Sequence, residues 1–506
     1  MYKKIVEVPS LNKRLIKLRK KKKIVLCHGT FDLLHIGHIK HFFEARQFGD
    51  ILIVSVTTDN YVQKGPNRPA FNLHHRLEAL SALDCIDYVV SSDSLNAVKI
   101  LKEIKPHIYC KGPDYLKNQN DLTKQIYKEI QSLKSFGGKI KYTNDITFSS
   151  SKLLNNFFDT LQKTQKDFLN KISKNEIENF KDSLKNLSKK KVLVIGETII
   201  DKYVFTEALG KSGKEPLLAF NELNEENYIG GAASIFLTIK NFVKRVNFLT
   251  VLGEDKKYKN YIEKTLSNKH SKIKYIYKKN SPTIVKKRYV DSLNKTKLFA
   301  SYQVNDTKIS KAEENEVLKY LNTELPKFDL VIVSDYGHGF ITSNIASLIS
   351  RKAKFLSLNT QINSSNIGFH SLNKYHKSDL IVINEKELRY ELRDKDKDLK
   401  ILIKKLSTVK KVKTVIVTSG SAGATLYNRT NNKFIFCPAF ARKVIDKVGA
   451  GDSMLSIASL IKAFRFNDHF TLLAGSLAAS NSVENISNSN TFDINKLLKL
   501  IQHLTK

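Results

Sequence analysis

Two histidines in the first part of the chain are spaced so that both could act on one phosphate group. His35 and His38 close the string CHGTFDLLHIGH of residues 27–38, which follows an apolar run and precedes a helical pattern. Backbone N–H groups and the helix dipole converge at such a strand–loop–helix junction and favour an anion. Gly37 allows close approach of the backbone, and the imidazoles could donate to an α-phosphate as it becomes five-coordinate. The pattern predicts phosphate chemistry that needs no protein nucleophile.

A second phosphate site is predicted near the end of the chain. Residues 445–453 read IDKVGAGDS and are followed by an apolar helical pattern that begins at Met454. Gly449 and Gly451 open a helix N-terminus whose N–H groups could hold a developing γ-phosphoryl anion. Asp452 is placed to accept the proton of an attacking hydroxyl group. The chain has no GxxxxGK[ST] string, so the pattern indicates phosphoryl transfer without a Walker loop.

The first part of the chain resembles the cytidylyltransferase-like family, whose motif GxFDxxHxGH matches residues 29–38. The resemblance implies that His35 and His38 stabilise attack by a sugar or alcohol phosphate on the α-phosphate of a nucleoside triphosphate, with loss of pyrophosphate. It implies nucleotide or phosphate contacts at Gly29, Thr30, Phe31, Lys64, Lys111, Ser149, Ser150 and Ser151, and acceptor contacts at Arg68 and Arg76. Taken alone, each basic residue is more often a solvated surface charge, and the ordered motif outweighs that interpretation most for Lys64.

The second part resembles the ribokinase-like (PfkB) sugar kinases in five elements that occur in the family's order. These are GETIID at 196–201, GGAA at 230–233, NEKE at 384–387, TSGSAG at 418–423 and the string ending at Asp452. The resemblance implies sugar contacts at Asp201, Gly230 and Gly231, and nucleotide or phosphate contacts at Asn384, Glu387, Thr418, Gly420, Gly423, Gly449, Ala450 and Gly451. No direct metal-ligand motif is present, and Mg²⁺ is expected with the nucleotide near Glu387. The alternative is that these glycines only mark ordinary turns.

The pairing of the two parts resembles the bifunctional ADP-heptose synthesis enzymes. In that family a kinase phosphorylates a heptose 7-phosphate at C1, and the heptose 1-phosphate is later adenylylated. This chain departs from the family in its order, with the nucleotidyltransferase part first. It also has Ser234, His338, Asn359 and Lys447 where the family has Asn, Lys, Asp and Thr. All but the last lie on the expected sugar side, so the sugar is less well defined than the phosphoryl chemistry.

Three other functions stay open. The first keeps both activities but uses another sugar or polyol phosphate with CTP or ATP, as glycerol-phosphate cytidylyltransferases do. In the second, one domain is catalytically inactive and serves as a scaffold or sensor, although retention of His35, His38 and Asp452 favours two active sites. The third is a basic nucleic-acid-binding protein, since the formal charge is +36. The charge comes mostly from scattered lysines without the arginine and aromatic pattern of such proteins.

The elements that position these motifs alternate between strand and helix. Short apolar runs stand at residues 24–27, 51–56, 88–90 and 108–110, and a second series stands at 192–195, 243–251, 330–333, 355–358, 380–383 and 414–417. This rhythm predicts an α/β protein with a Rossmann-like nucleotidyltransferase domain at 1–158 and a doubly wound, ribokinase-like domain at 190–506. Residues 159–189 are predicted to be a Lys-rich, partly helical linker. Residues 217–227 are expected to contribute to a small β lid through which the chain forms a homodimer.

Composition adds the expected compartment and partners. The chain is 41% hydrophobic and 26% charged, and none of its apolar runs approaches the length of a membrane span. Its four cysteines form no CxxC pair, so no disulfide framework or structural metal site is indicated. We therefore expect a cytoplasmic enzyme whose partners are sugar phosphates and nucleoside triphosphates, without nucleic acid or membrane insertion.

Overall fold

The computed structural model describes residues 2–62, 68–112, 125–143, 161–267, 270–363, 365–489 and 492–505. The chain divides into two compact units. The first unit consists of Met1–Leu169 together with Asn495–Lys506, and the second is Asn170–Ile494. The final segment of the chain thus groups with the first unit. The domain limits at residues 158 and 189 stay predictions.

The first unit is built on a parallel sheet of five strands in the order β3-β2-β1-β4-β5. The strands are β1 Ile24–Gly29, β2 Ile51–Thr57, β3 Tyr88–Ser92, β4 Ile108–Lys111 and β5 Lys139–Tyr142. The helices of this unit before the linker are α1 Val8–Leu18, α2 Ile36–Arg46, α3 Leu73–Ser81, α4 Val98–Ile104 and α5 Gln125–Lys134. Each of the four predicted strands is present and runs slightly further than its apolar run.

Alternation along β1 explains why both faces of this sheet are buried. Val25 and Cys27 lie in one apolar cluster, whereas Ile24 and Leu26 lie in another. Successive strand residues point to opposite faces, and a parallel sheet covered by helices on both faces needs apolar residues on both. The motif that follows β1 therefore leaves the sheet from a rigid and fully buried strand.

The second unit contains a sheet of nine strands in the order β10-β9-β6-β13-β14-β15-β16-β17-β18, and only the pairings of β17 are antiparallel. Its strands are β6 Lys191–Gly196, β9 Arg245–Gly253, β10 Ile273–Lys278, β13 Leu330–Asp335, β14 Leu356–Thr360, β15 Leu380–Asn384, β16 Thr414–Thr418, β17 Ala424–Asn428 and β18 Lys433–Cys437. The predicted α/β fold class is confirmed. In such open sheets, ligands bind beyond the carboxyl ends of the strands.

Helices α8 to α15 of the second unit cover this sheet. They are α8 Ala232–Ile239, α9 Lys259–Leu266, α10 Lys311–Glu324, α11 Ser343–Lys352, α12 Glu385–Leu392, α13 Leu399–Val409, α14 Ala450–Ala463 and α15 Asp468–Val483. The last described helix, α16 Ile494–Leu504, belongs almost entirely to the first unit. Helix α14 carries the predicted catalytic aspartate in its first turn.

A separate sheet of four strands forms the predicted lid, in the order β12-β11-β7-β8. Its strands are β7 Thr198–Lys211, β8 Leu218–Gly231, β11 Ile284–Asp291 and β12 Lys297–Gln303. Strand β7 pairs in parallel with β11 and antiparallel with β8. Most of the segment expected to contribute to the lid is part of β8.

The predicted linker is largely helical. Its helices are α6 Lys163–Leu169 and α7 Lys174–Ser188, and α7 begins with a capping box between Ser173 and Glu176. Phe180 of α7 packs with ring centroids 5.3 Å from Phe466 and 4.9 Å from Phe470. Within the parts of the chain that the structure describes, no helix combines the length and apolar character needed to span a membrane.

Candidate active sites

The two predicted catalytic histidines lie side by side at the start of α2. His35 is the N-cap residue, and its Nδ1 accepts a hydrogen bond from the backbone N–H of Gly37 at 3.1 Å. The rings of His35 and His38 stack with centroids 3.9 Å apart and 22° between their planes. Phe31, which has a left-handed φ of 49°, places its ring edge-on to His38 at 5.3 Å. The structure thus brings both imidazoles to one anion-favouring helix terminus.

Arg76 braces the loop that precedes these histidines. Its buried guanidinium donates to the backbone carbonyls of Phe71 at 2.9 Å, Thr30 at 2.6 Å and Thr57 at 2.9 Å. It also forms an ion pair with Asp59. These contacts connect the loop at Thr30 to the end of β2 at Thr57. An acceptor contact at Arg76 stays a prediction.

Arg68 has a comparable place beside the same loop. Its buried Nη1 lies 3.2 Å from Oδ2 of Asp32, and Oδ1 of that carboxylate accepts the N–H of Phe71 at 3.0 Å. Asp32 belongs to the matched motif, so Arg68 and Phe71 hold the loop at a second point. The predicted contacts at Lys64, Ser149, Ser150 and Ser151 lie outside the described residues.

Lys111, at the end of β4, belongs to a buried network that the sequence did not suggest. Its Nζ lies 3.2 Å from Oε2 of Glu129, which also accepts the hydroxyl of Tyr109 at 3.0 Å. Burial opposes ionisation of Glu129, but Lys111 and the N–H of Ala97 lower its pKa. Burial and the charge of Lys111 lower the pKa of nearby His28 to about 4. Lys111 is thus held as a buried ion-pair partner at the end of its strand.

The predicted catalytic base of the kinase part is buried at the start of α14. The hydroxyl of Tyr336 donates to Asp452, at 2.7 Å from Oδ1 and 2.9 Å from Oδ2. Burial raises the pKa of Asp452 to about 7, the charge of Asp201 adds to the rise, and Tyr336 and Lys286 oppose it. A general base works best when its pKa lies near the operating pH. A pKa near 7 therefore agrees with the predicted role of Asp452 as a base.

Substitution Tyr336→Phe is expected to move the acid limb of the kinase pH profile upward. The hydroxyl stabilises the carboxylate form of Asp452, so its loss raises the pKa further. A hydrogen bond to a charged group contributes about 1.5–3 kcal/mol, which corresponds to a shift of about one to two pH units in kcat/KM. The control is Tyr390→Phe, whose side chain is 54% exposed. An unchanged pH profile in Tyr336→Phe contradicts the assignment of Asp452 as the base.

The side that is expected to hold the sugar is formed by the lid. Arg288 of β11 forms an ion pair with Asp201 of β7; the Asp201 side chain is buried and that of Arg288 is 11% exposed. Lys286, two residues earlier on the same strand, is also buried and lies with Nζ 5.3 Å from the ring centre of Tyr336. Burial lowers the pKa of Lys286, although the negative charges of Asp201 and Asp452 raise it in part. The lid thus contributes two cations that were not predicted.

Gly230 is required for the position of Asp201. A Cβ atom on Gly230 would lie 2.1 Å from Oδ2 of Asp201, far inside van der Waals contact. Gly230→Ala must displace this carboxylate and is expected to raise the KM for the sugar about 10- to 100-fold, the cost of one charged hydrogen bond. The matched control is Gly213→Ala, because a Cβ there has nothing within 4 Å. Equal KM values for the two variants would refute a sugar contact at Asp201.

Glu197 organises the segment after β13. Its fully buried carboxylate accepts the N–H of Tyr336 at 3.1 Å and that of His338 at 3.2 Å. Burial and the nearby charge of Asp335 raise the pKa of Glu197 to about 7. His338, which stands where the family has lysine, is buried with Nδ1 2.6 Å from Oδ1 of Asp306. This position therefore carries a buried imidazole paired with a carboxylate.

The other departures from the family pattern also have defined places. The Oγ of Ser234 donates to the carbonyl of Gly231 at 2.8 Å, inside the first turn of α8. Nδ2 of Asn359 donates to the carbonyl of Val382 at 2.7 Å and so links β14 to β15. Lys447 is exposed. Ser234 and Asn359 thus make local contacts with the backbone.

Asp446 connects the phosphate loop of the kinase part to the lid. Its buried carboxylate accepts from the Tyr203 hydroxyl, forms an ion pair with Lys297, and accepts the N–H of Val448 at 3.0 Å. Burial opposes its ionisation, but Lys297 and Tyr203 lower its pKa. Gly449 follows with a left-handed φ of 85° and caps α14. Ala450 and Gly451 then form the first residues of this helix.

Asn384 and Glu387 form a capping box at the start of α12. The Asn384 side chain accepts the N–H of Glu387 at 2.8 Å, and the Glu387 carboxylate accepts the N–H of Asn384 at 3.0 Å. Burial raises the pKa of Glu387 to about 7, and the charge of Asp452 contributes to the rise. The electrostatic interaction indicates that the two predicted elements lie near each other. The motif thus has a structural function as well as its predicted contact with phosphate.

The predicted nucleotide loop follows β16, which ends at Thr418. Gly420 and Gly423 both have left-handed φ values, 58° and 119°. A Cβ on Gly423 would lie 2.1 Å from the carbonyl oxygen of Cys437, so only glycine fits between the loop and β18. These glycines are required by the turn itself, whatever further contact they make.

Comparison with known proteins assigns a family to each part of the chain. The model described as pfkB family carbohydrate kinase matches residues 189–487, more than half of the chain, and the chain belongs to this family. The model described as cytidylyltransferase-like matches residues 26–156. Both predicted resemblances are confirmed. The two matched ranges contain the starts of α2 and α14, where the two phosphate sites are predicted.

Curated relatives share a bifunctional name. The bifunctional protein HldE of Helicobacter hepaticus is 42% identical over 118 residues, 23% of this chain and 24% of that protein. The bifunctional protein HldE of Campylobacter jejuni is 27% identical over 278 residues, 54% of this chain and 57% of that protein. The chain thus spans between a quarter and somewhat over half of these relatives. A solved ribokinase of Arabidopsis thaliana with ribose and ATP has a TM-score of 0.47 at 18% identity, covering 62% of this chain and 99% of the ribokinase.

Proposed function

We propose that the chain is a bifunctional transferase with a sugar kinase in the second unit and a sugar 1-phosphate nucleotidyltransferase in the first. One observation carries the proposal. Each unit has a helix whose first turn carries a different set of reactive side chains. These groups are Asp452, with a pKa of about 7, and the stacked pair of His35 and His38. A base at a helix N-terminus can accept the proton of a hydroxyl group that attacks a γ-phosphate. Paired imidazoles can instead donate to the oxygens of an α-phosphate that is attacked by a sugar phosphate.

In the kinase reaction, Asp201 and Arg288 orient the sugar from the lid while Asp452 accepts the proton of the attacking hydroxyl. The N–H groups at Gly449 and Gly451 stabilise the charge on the transferred γ-phosphoryl group, and ADP leaves. The buried cation Lys286 lies among carboxylates and moderates their repulsion. Phosphoryl transfer depends mainly on such positioning and electrostatic stabilisation.

Mg²⁺ is the cofactor that this reaction needs, together with ATP. Carboxylate oxygens suit this ion, and Glu387 and Asp452 are buried carboxylates whose charges interact. The carboxylate of Glu387 accepts the N–H groups of Asn384 and, at 3.3 Å, Ile362. Glu387 is therefore suited to hold the ion through water. When bound with the nucleotide, Mg²⁺ neutralises charge on the phosphates.

In the second reaction, a sugar 1-phosphate attacks the α-phosphate of ATP or CTP and pyrophosphate leaves. His35 and His38 donate to the oxygens of the five-coordinate phosphorus, next to the N–H groups at the start of α2. Thr30 and Lys111 lie at the ends of the neighbouring strands and add a hydroxyl group and a buried cation. Because the attacking oxygen belongs to the substrate, the protein supplies no nucleophile.

The substrate that fits both sites is a heptose-like sugar phosphate, and the product is an ADP-heptose-like nucleotide sugar for a surface polysaccharide. A kinase that makes an anomeric phosphate prepares the acceptor for nucleotidyl transfer, so the two activities form a chemical sequence. The bifunctional name of the relatives supports this pairing. With such substrates, we place the enzyme in the cytoplasm.

A second candidate keeps both activities with another sugar or polyol phosphate and CTP or ATP. The buried pair of His338 and Asp306 favours it, because this position departs from the family on the expected sugar side. A one-site enzyme with an inactive second domain is the remaining alternative.

The lid is the proposed surface for a homodimer. Exposed apolar side chains on its strands are Leu209, Leu218, Leu223, Leu298 and Phe299. Light scattering after size exclusion tests this state, and a monomer at every concentration contradicts it.

The experiment that tests the proposed function follows ADP and pyrophosphate separately. Purified full-length protein is supplied with ATP or CTP and with heptose 7-phosphate, heptose 1-phosphate, hexose phosphates or glycerol 3-phosphate. We expect ADP from the 7-phosphate and pyrophosphate from the 1-phosphate with ATP. Turnover of only another acceptor supports the second candidate, and release of one product alone supports a one-site enzyme. Release of neither product contradicts the proposal.

A further inference from the structure

Three side chains with metal-binding atoms lie close together in the first unit. Cys27, His41 and Cys110 each offer one ligand atom, and these atoms all lie within 4.8 Å of one another. Both cysteines are buried, and both are free thiols. Among the described residues, no other group of three histidine, cysteine or carboxylate side chains has its ligand atoms this close together.

The fold fixes this meeting point through three separate elements. Cys27 on β1 and Cys110 on β4 are direct partners in the parallel register, so their side chains leave the sheet on the same face. Both belong to the apolar cluster on the face covered by α2. His41 lies on α2, one turn after His38. Two rigid strands and a packed helix therefore hold the three donors.

The ring of His41 also has an orienting partner. Its Nδ1 lies 2.9 Å from Oγ1 of Thr143, which is fully buried just after β5. Metal-binding histidines characteristically use one ring nitrogen for such a hydrogen bond, which fixes the orientation of the ring. The contact to Thr143 therefore gives the cluster a supporting interaction outside its three donors.

We propose that Cys27, His41 and Cys110 form a binding site for a thiophilic divalent metal ion, with Zn²⁺ as the ion. Two thiolates and one imidazole are ligands that Zn²⁺ prefers, whereas Mg²⁺ prefers oxygen ligands. Binding forms two metal–sulfur bonds and one metal–nitrogen bond. The two thiol protons pass to solvent, so no oxidant or reductant is needed. Three protein ligands leave one position for water in a tetrahedral shell.

The site has a structural consequence for nucleotidyl transfer. Cys27 lies on β1, which leads into the loop of the histidine motif after Gly29; Cys110 directly precedes Lys111, and His41 shares a helix with His38. An ion held by all three would fix the two loop-bearing strands and the catalytic helix relative to one another. The assigned role is therefore positional, and it is separate from the Mg²⁺ that accompanies the nucleotide. The proposal does not depend on which sugar the enzyme uses.

The test is a titration of the full-length protein with Co²⁺. This ion takes the place of Zn²⁺, and its absorption spectrum depends on its ligands. The metal-free protein is kept reduced with a non-chelating phosphine and without oxygen. We expect one equivalent of Co²⁺ to produce thiolate-to-metal charge-transfer absorption and the visible bands of a tetrahedral ion. One equivalent of Zn²⁺ should abolish both signals and raise the melting temperature.

Variants distinguish this site from adventitious binding. Cys110→Ser and His41→Ala should each weaken or abolish the cobalt–thiolate absorption, with circular dichroism used to confirm that each variant folds. Cys85→Ser is the matched control, because Cys85 is a buried free cysteine of the same apolar cluster outside the three-residue group. Its titration should equal that of the unsubstituted protein.

Three outcomes would overturn the proposal. One is the absence of cobalt–thiolate absorption from the folded, reduced protein. Another is an equal signal in the protein and in Cys110→Ser. The third is loss of two thiols per chain in air, prevented by Cys110→Ser, with no metal retained after reduction, which would indicate a disulfide at this position instead.

Discussion

The substitution Asp452→Asn is expected to lower ADP formation by about 10²- to 10⁴-fold, the range that a positioned general base contributes. Asparagine keeps the size of the side chain and can still bond to the Tyr336 hydroxyl, but it cannot accept a proton from the sugar. Pyrophosphate release from supplied sugar 1-phosphate should stay at the level of the unsubstituted protein. The measurement is steady-state release of each product from the same preparation.

A matched control for this result is Asp182→Asn. Asp182 is exposed on α7 of the same unit and has no predicted contact with substrate, so the substitution removes the same charge from an ordinary surface position. Both products should form normally. If Asp452→Asn lost both activities while the control kept them, the model of two independent sites would be wrong.

The substitution His38→Ala is expected to have the opposite effect. Loss of one donor to a developing oxyanion costs about 10²- to 10³-fold in rate, and pyrophosphate release should fall by that factor. The stacked partner His35 stays in place, because its Nδ1 is held by the backbone of Gly37. ADP formation from the kinase substrate should not change. Both rates are measured with saturating nucleotide, so that a change in binding does not mask the chemical step.

His75→Ala provides the control for this second result. His75 lies exposed on α3 of the same unit, and its removal should leave both products unchanged. Normal pyrophosphate release by His38→Ala would contradict a catalytic function for the histidine pair. Loss of ADP formation in the same variant would instead indicate that the two units depend on each other.

The buried strands could be predicted from sequence because their signal is strong. Residues 330–333 and 380–383, for example, are uninterrupted apolar runs between polar segments, and they form β13 and β15. Glycine-bearing strings mark Gly231 and Gly449, where φ is positive. These requirements for apolar runs and for glycine are local, so the residue types alone indicate them.

The lid strands could be predicted only in part because they lack this signal. Strand β8 is exposed along half of its length and contains several glutamates and asparagines. A two-sided polar strand has neither an apolar run nor a clear alternation, and its existence depends on pairing with β7. Lys286 and Arg288 were missed for the same reason. Their alternation on β11 becomes a signal only once β11 is known to be a strand.

Clusters of residues from distant parts of the chain could not be predicted from sequence motifs either. Cys27, His41 and Cys110 have no metal-binding spacing, and only the register of β1 with β4 brings the two cysteines together. Glu197 was seen as part of a string around Asp201, yet its carboxylate holds backbone N–H groups after β13. Long-range pairing of this kind follows from topology and not from local composition.

The grouping of α16 with the first unit bears on how the enzyme can be dissected. In chain order the second unit interrupts the first, whose final helix follows almost all of the kinase sequence. A fragment that stops at residue 169 would lack this helix and the buried side chains Leu497, Leu498 and Ile501. A fragment that begins at residue 170 would carry the same helix without the unit it groups with. Genetic separation of the two activities is therefore better made by point substitution than by cleaving the gene between them.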